Sequence, residues 1–320
     1  MTLQKLADLA HVSVSTVSKA FSGSADISEQ TRRLVFETAR RHGCYEQFDK
    51  GVYHKKIIAV ICPELESLYY GKLLTELERR IREMGGTMAL SVSRFDPEVQ
   101  QELFLYHSCY QKTNGVVLIG RPEGIKNPNL FPAVSLSASA DSTQEWLAVG
   151  TDYFTPILQA VDYLLSLGHR NIVFLGEPKT YEKEHLYRRA MEKRGMKAKS
   201  VVTDARFEAC GFLGMSRLLN DLPTAVIAAY DTIAIGAAHC LRSHGFSVPG
   251  TVSLIGMDDL PVTSYLDIPL TTISDDSYRV CEAALALLLK KMEQKYFVPK
   301  EKISIPGQFI IRNSVCPPKL

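Results

Sequence analysis

From Ile57 onward the chain repeats one unit: a short, unbroken apolar run followed by a gap that fits one helix and two loops. Runs begin near Ile57 (IIAVIC), Thr87 (TMALSV) and Gly115 (GVVLIG), then near Asn171 (NIVFLG), Lys199 (KSVVTD), Thr224 (TAVIAA) and Val252 (VSLIG). The spacings are 30 and 28 residues, then 28, 25 and 28. A crossover of that length is what joins parallel strands. Continuous rather than alternating apolar runs mark strands covered on both faces. Between them, Leu73, Leu74, Leu77, Ile81 and Met84 recur at helical spacing, as do Ile157, Val161, Leu164 and Leu165. The rhythm breaks between about 120 and 170, where Pro122, Pro128, Pro132 and the stretch SLSASADS intervene. The reading is an α/β body of two doubly wound parallel sheets, one on either side of that break. Its cleft lies at the carboxyl ends of the strands, where open sheets bind ligands.

Several function classes fall away. With 46% hydrophobic and 22% charged residues over 320 positions, the chain can bury a sizeable core and is not a disordered tract. No apolar stretch approaches a membrane span, and the N-terminus lacks the apolar core of a signal peptide, so a cytoplasmic protein with no membrane partner is expected. The seven cysteines are scattered without a Cys-x-x-Cys pair, which predicts reduced, mostly buried thiols rather than disulfides or zinc. There is no G-x-S-x-G, no P-loop, no H-E-x-x-H and no G-x-G-x-x-G after a strand, and the eight histidines show no metal-ligand spacing. The expectation is a protein that is not an enzyme and carries no cofactor and no metal.

Charge is uneven. Residues 1–56 hold nine Lys/Arg against six acids, whereas the remaining 264 hold 28 against 29. In this basic segment Leu3, Leu6, Ala7 and Ala10 follow i, i+3, i+4, i+7, with Thr2 placed as a cap. His11-Val12-Ser13 leaves room only for a sharp reversal. Ser13 caps a second helix, Val14 to Ala20, and Ser28 a third, whose Leu34, Val35 and Ala39 complete a small core before Gly43. Three short helices with a tight turn between the first two form a helix-turn-helix. The second helix turns Val14, Ser15, Thr16, Ser18 and Lys19 outward: small side chains that fit a major groove, hydroxyls that reach phosphate, and one cation that reaches a guanine edge. A solvated Ser/Thr-rich surface would look similar.

The stretch TLQKLADLAHVSVSTVSKAFSGSADISEQTRRLVFETARRHGC resembles the DNA-binding head of the LacI/GalR family of bacterial transcriptional regulators. The body continues the resemblance in order, with VICPELESLYY, SRFDPE, VDYLLSLGHRNIVFLG, PTAVIAAYDTIAIGA, VPGTVSLIGMDDLP, PLTTIS and IPGQFIIRNSVCPP. It covers about residues 2–317. It implies a helix-turn-helix head at 1–44, a hinge or linker at 45–56, and an effector-binding and dimerisation domain at 57–320 that resembles periplasmic binding proteins. Lobe one would comprise about 57–151 and 277–303, and lobe two about 152–276 and 304–320. The implied protein is a homodimeric repressor of double-stranded operator DNA, controlled by a small polar effector, sugar-like or a derivative. Carried over by position, Val14, Ser15 and Lys19 read bases, while Thr2, Ser13, Thr16, Ser18 and Thr31 touch phosphate. No a/d heptad tail follows the body, so a tetramer built on a C-terminal coiled coil is not expected.

The chain departs from the family twice. Its linker, YEQFDKGVYHKK, lacks the family's Pro-Asn, Arg and minor-groove Leu and adds Glu46 and Asp49. It reads as a plain tether, with Tyr53 the alternative wedge, and it leaves open a solute-binding sensor that has lost ordinary operator binding. In the cleft, Asp231 and Asp258 fall where the family touches its effector, though each could instead cap the following helix. Tyr69 and Tyr70 match an aromatic pair lining the cleft, with packing in the lobe core as the alternative, and Ser91 and Arg94 end the next strand. The family's sugar-clamping Arg aligns with Lys183, its mid-cleft Asp with Ser137, and an Asn with Tyr230. Without a bidentate Arg and that Asp, a plain hexose is not the expected effector.

Overall fold

The computed structural model describes residues 1–48, 55–111, 113–122, 124, 125, 127, 131–137, 146–293 and 301–319. It divides into two compact units, Met1–Lys56 and Ile57–Leu320.

The first unit holds helices α1 (Leu3–Leu9), α2 (Val14–Ser22), α3 (Glu29–Arg41) and the single turn α4 (Tyr45–Phe48). Three hydroxyls start the first three helices: Thr2, Ser13 and Ser28 accept from the backbone N–H of Lys5, Thr16 and Thr31. Gly23, at φ +72°, ends α2 in the left-handed conformation. The core is Leu6, Ala7, Ala10, Val17, Ala20, Phe21, Val35, Ala39 and Cys44. Leu34, expected inside, is 47% exposed. Its place is filled by rings instead. Phe36 lies 5.0 Å from Phe21, and Tyr45 and Phe48 each lie 5.7 Å from it. The packed head therefore runs past the expected limit of 44. Its chain end is tied by Gln47, which bonds the Met1 amine and carbonyl at 3.0 and 2.8 Å. Tyr53 and the middle of the expected tether lie outside the described residues.

The second unit is built on two six-stranded sheets. The first combines β1 (Ile57–Cys62), β2 (Thr87–Val92), β3 (Gly115–Ile119), β4 (Ala133–Ser137), β5 (Leu147–Asp152) and β11 (Lys302–Pro306), in spatial order β2-β1-β3-β4-β5-β11 and parallel throughout. The second combines β6 (Ile172–Gly176), β7 (Lys199–Val202), β8 (Ala225–Ala228), β9 (Ser253–Met257), β10 (Thr271–Ser274) and β12 (Gln308–Ile310), in order β7-β6-β8-β9-β10-β12. Only β12 among them runs antiparallel, against β10. Every expected run is a strand. Two more, β4 and β5, occupy the region where the rhythm breaks.

The first sheet buries one face under α5 (Leu68–Glu83) and α11 (Ser277–Glu293) and the other under α6 (Pro97–Leu105), where Phe104 meets Trp146. The second is covered by α7 (Phe154–Ser166), α8 (Tyr181–Lys193), α9 (Phe207–Ser216) and α10 (Asp231–Ser243). Helices α9 and α10 cross backbone to backbone. A Cβ on Gly211 would stand 1.9 Å from the Ile233 carbonyl oxygen, and one on Gly236 1.9 Å from that of Glu208. The chain passes between lobes after β5, after β10 and after β11. The last passage was expected between 303 and 304, but β11 stays in register with β5 as far as Pro306. The crossing falls at Gly307, whose Cβ position lies 3.0–3.1 Å from the Ser274 and Asp152 carbonyls.

Candidate functional site

In the head, α2 exposes Ser15 and Ser18 to solvent, and Val14, Thr16 and Lys19 in part. Val17, Ala20 and Phe21 hold its opposite face in the core. The Ser13 and Thr16 hydroxyls pair at 2.8 Å, and so do those of Ser28 and Thr31. One hydroxyl proton in each pair points elsewhere, because a pair needs only one donor. Thr2 and Ser13 are exposed and Thr31 partly so. Lys19 does not hang free: its ammonium sits 3.2 Å from Asp26, whose carboxyl is thereby held below its ordinary value. Sequence reasoning missed Arg32. Its two terminal nitrogens donate to the carbonyls of Ala20 (2.8 Å) and Ser24 (2.7 Å), which fixes the α2–α3 turn and so the pitch of α2.

The second group lies between the lobes, at the carboxyl ends of the strands. Helix α5 brings Tyr69, Tyr70 and Lys72 to it from lobe one, the two tyrosine rings 5.3 Å apart. Lobe two answers from the end of β9, where Asp258 (φ +108°) and Asp259 (φ +48°) are consecutive residues in backbone conformations that side chains disfavour. Asp258 is buried, and burial pushes its carboxyl up to about 6 even though Lys183 donates to its Oδ1 at 2.9 Å. Lys72 donates to the Asp258 carbonyl at 2.9 Å and to Asp275 Oδ1 at 3.1 Å. Asp275, wholly buried in the second interlobe passage, also accepts from Ser277 at 2.8 Å. Tyr230 caps α10 and faces Lys183 and Phe207.

Two expected cleft contacts lie elsewhere. Asp231 begins α10 and turns into its own lobe, where Oδ1 accepts from the Thr272 hydroxyl at 2.5 Å and Oδ2 from the Leu260 N–H at 2.8 Å. Its carboxyl, pushed up to about 8 chiefly by burial and next by the charge of Asp258, braces the strained 258–260 turn. Ser91 bonds His107 Nε2 at 2.8 Å, at the end of α6. Ser137 ends β4, half-buried. Arg94 stands exposed at the rim beside Phe95, and both have positive φ (+56° and +61°).

The residues that join the rims are ones the sequence did not single out. Arg206 makes a two-pronged pair with Glu64 of lobe one (2.5 and 2.8 Å) and reaches Glu177 at 3.3 Å. Arg121 of lobe one pairs with Glu182 of α8. The Lys179 ammonium of lobe two sits 3.5 Å from the centre of the Phe95 ring. Glu64 and Arg206 are 142 positions apart, and no local pattern connects them. Among the described residues there is no cluster of His, Cys, Asp and Glu placed to hold a metal, and no helix long and apolar enough to cross a membrane.

Residues 2–45 match the model for bacterial regulatory proteins of the lacI family, and residues 161–315 match that for a periplasmic binding protein-like domain. The chain is 28% identical over 334 residues to catabolite control protein A of Priestia megaterium, covering 98% of this chain and 99% of that one. Its fold is that of the lac repressor dimer solved with operator and an anti-inducer (TM-score 0.76, 19% identity, 99% of each chain). It is also that of a LacI family regulator from Enterococcus faecium solved with ribose (TM-score 0.71, 24% identity, 82% of this chain and 100% of that one). Its relatives are regulators rather than enzymes. With a helix-turn-helix head and a two-lobed binding body in one chain, the protein belongs to the lacI family of bacterial regulatory proteins.

Proposed function

We propose that the chain is a cytoplasmic, homodimeric transcriptional repressor whose affinity for a near-palindromic operator is set by a small polar effector, sugar-like or a derivative, held between the lobes. The observation that carries the DNA reading is helix α2. A rigid three-helix core holds one face, and the free face offers Val14, Ser15, Thr16, Ser18 and Lys19. Val14, Ser15 and Lys19 read base edges. Thr2, Ser13, Thr16, Ser18 and Thr31 donate to phosphates and set the register. A head this small offers too little interface for tight specific binding alone, so two heads bind together.

The second copy docks on lobe two. There α9, α10 and the 266–270 segment enclose an apolar groove of about 960 Å³ lined by Phe212, Leu213, Ile235, Phe246, Leu266 and Ile268. Exposed apolar surface of this kind marks an interface. The effector meets Tyr69, Tyr70, Tyr230, Lys183 and Asp258, with Ser137 and Arg94 at the edge.

Selection of binding sites from a random duplex pool by the full chain tests the DNA reading. A palindrome enriched over successive rounds is expected. A pool that remains random would leave only a solute-binding sensor.

A further inference from the structure

We propose that Asp258, the Ala229 carbonyl and the rings of Tyr153 and Tyr230 form a site for a primary ammonium, and that Lys183 is its tethered occupant, holding in place the Asp258 turn that Lys72 of lobe one grips. The inference concerns the same cleft as the effector reading and goes beyond it.

Four contacts converge on one atom. Lys183 Nζ donates to Asp258 Oδ1 and to the Ala229 carbonyl, both at 2.9 Å. It lies 4.7 Å from the centre of the Tyr230 ring and 5.1 Å from that of Tyr153. A carboxylate and a carbonyl between two aromatic faces is the chemistry that binds organic ammonium ions. The site is buried: Tyr153 and Asp258 are 3% exposed and the Lys183 side chain 12%. Lys183 lies on the buried face of α8, four and seven residues before Tyr187 and Ala190, whereas its neighbours Glu182 and Glu184 pair with arginines, Arg121 at the rim and Arg188 on the helix surface.

The occupied site is also where lobe one attaches. Lys72 of α5 takes the carbonyl of the same Asp258. Burial, and after it the neighbouring Tyr69 one turn earlier on α5, push the Tyr153 hydroxyl well up. The Asp258 backbone, held at φ +108°, presents its carboxylate to Lys183 and its carbonyl to Lys72. Removing the ammonium leaves a buried carboxylate on a strained turn, and the turn can then relax and release Lys72. A neutral polyol at this place must displace Lys183. A ligand bearing its own primary amine replaces it.

The test uses the full chain. Lys183→Ala deletes three carbons and the ammonium, which together are n-propylammonium. Its thermal midpoint is expected to fall by at least about 5 °C. Tens of millimolar n-propylammonium should restore at least half of the loss, while n-propanol restores none and neither shifts wild type. A midpoint within about 1 °C of wild type, or equal effects of amine and alcohol, overturns the proposal. Should that variant not fold, Lys183→Met keeps the stem and loses only the charge. X-ray scattering without ligand is then expected to show a larger radius of gyration than wild type, and equal radii overturn the proposal. A wild-type body that is open until a sugar closes it would overturn this inference and leave the effector reading intact. Amine rescue in a chain that binds no candidate effector would do the reverse.

Discussion

Lys72 of lobe one donates to the main-chain carbonyl of Asp258 in lobe two at 2.9 Å, so a side chain of one lobe grips the backbone of the other. The same ammonium neutralises Asp275, whose carboxylate is wholly buried. Lys72→Met should therefore leave that carboxylate on Ser277 alone, at a cost of about 2–4 kcal/mol. Urea unfolding checks it. Adding Asp275→Asn should recover part of the loss, since the stranded charge goes with it. A second substitution whose cost simply adds would separate the two residues.

The buried acids give stability a pH slope. Asp231 titrates at about 8 and Asp258 at about 6 in the folded chain, against about 3.9 when unfolded. Between those values the folded state keeps protons that the unfolded chain has released. Their contribution is thus complete below about pH 4 and is lost as pH rises toward 8. Asp231→Asn keeps an acceptor for the Leu260 N–H and a donor for the Thr272 hydroxyl, and it cannot ionise. Denaturant midpoints should converge with wild type only near pH 4 and below, and favour the variant increasingly up to pH 8. Parallel curves would place the titration elsewhere.

How much of this was readable beforehand differs between the two acids. Both follow an apolar run, and from the run alone both belong at the strand ends. The difference is in the backbone: Asp231 enters a helix and turns toward β10, while Asp258 takes a positive φ and turns toward Lys183. Helical and strand periods survive in sequence because each is local. The interlobe pairs Glu64–Arg206 and Arg121–Glu182 join residues far apart in the chain and leave no periodic trace. Leu34 shows the converse: its spacing fits the core, but Phe36, Tyr45 and Phe48 already fill it around Phe21.

Two glycines, one on α9 and one on α5, should respond with opposite sign. Gly211→Ala places a Cβ 1.9 Å from the Ile233 carbonyl oxygen, which forces α9 from α10 and should cost about 3 kcal/mol or more. At Gly71, within α5, an added Cβ meets nothing within 4 Å. Gly71→Ala should raise stability by about 0.5–1 kcal/mol through helix propensity. Calorimetric midpoints of the two variants decide it, and a stabilised Gly211→Ala would refute the close crossing.

Asp26 restrains Lys19. Asp26→Asn frees the ammonium that now sits 3.2 Å from the carboxylate, so affinity for arbitrary duplex should rise roughly two- to fivefold at low salt. The slope of log affinity against log salt should steepen by up to about one. Fluorescence anisotropy across a salt series reads both, and an unchanged slope would mean that Lys19 meets no phosphate or base while bound.

The most direct test of the DNA-reading role is Lys19→Ala on the operator selected by wild type. With Lys19 at a base edge, affinity for that operator should fall by roughly 1–3 kcal/mol, or about five- to 150-fold, and preference should relax at one position in each half-site while the other positions keep theirs. Competition binding against every single-base variant of the operator measures this. Unchanged affinity, or a uniform loss across all variants with preference intact, would contradict the assignment of α2 as the helix that reads DNA.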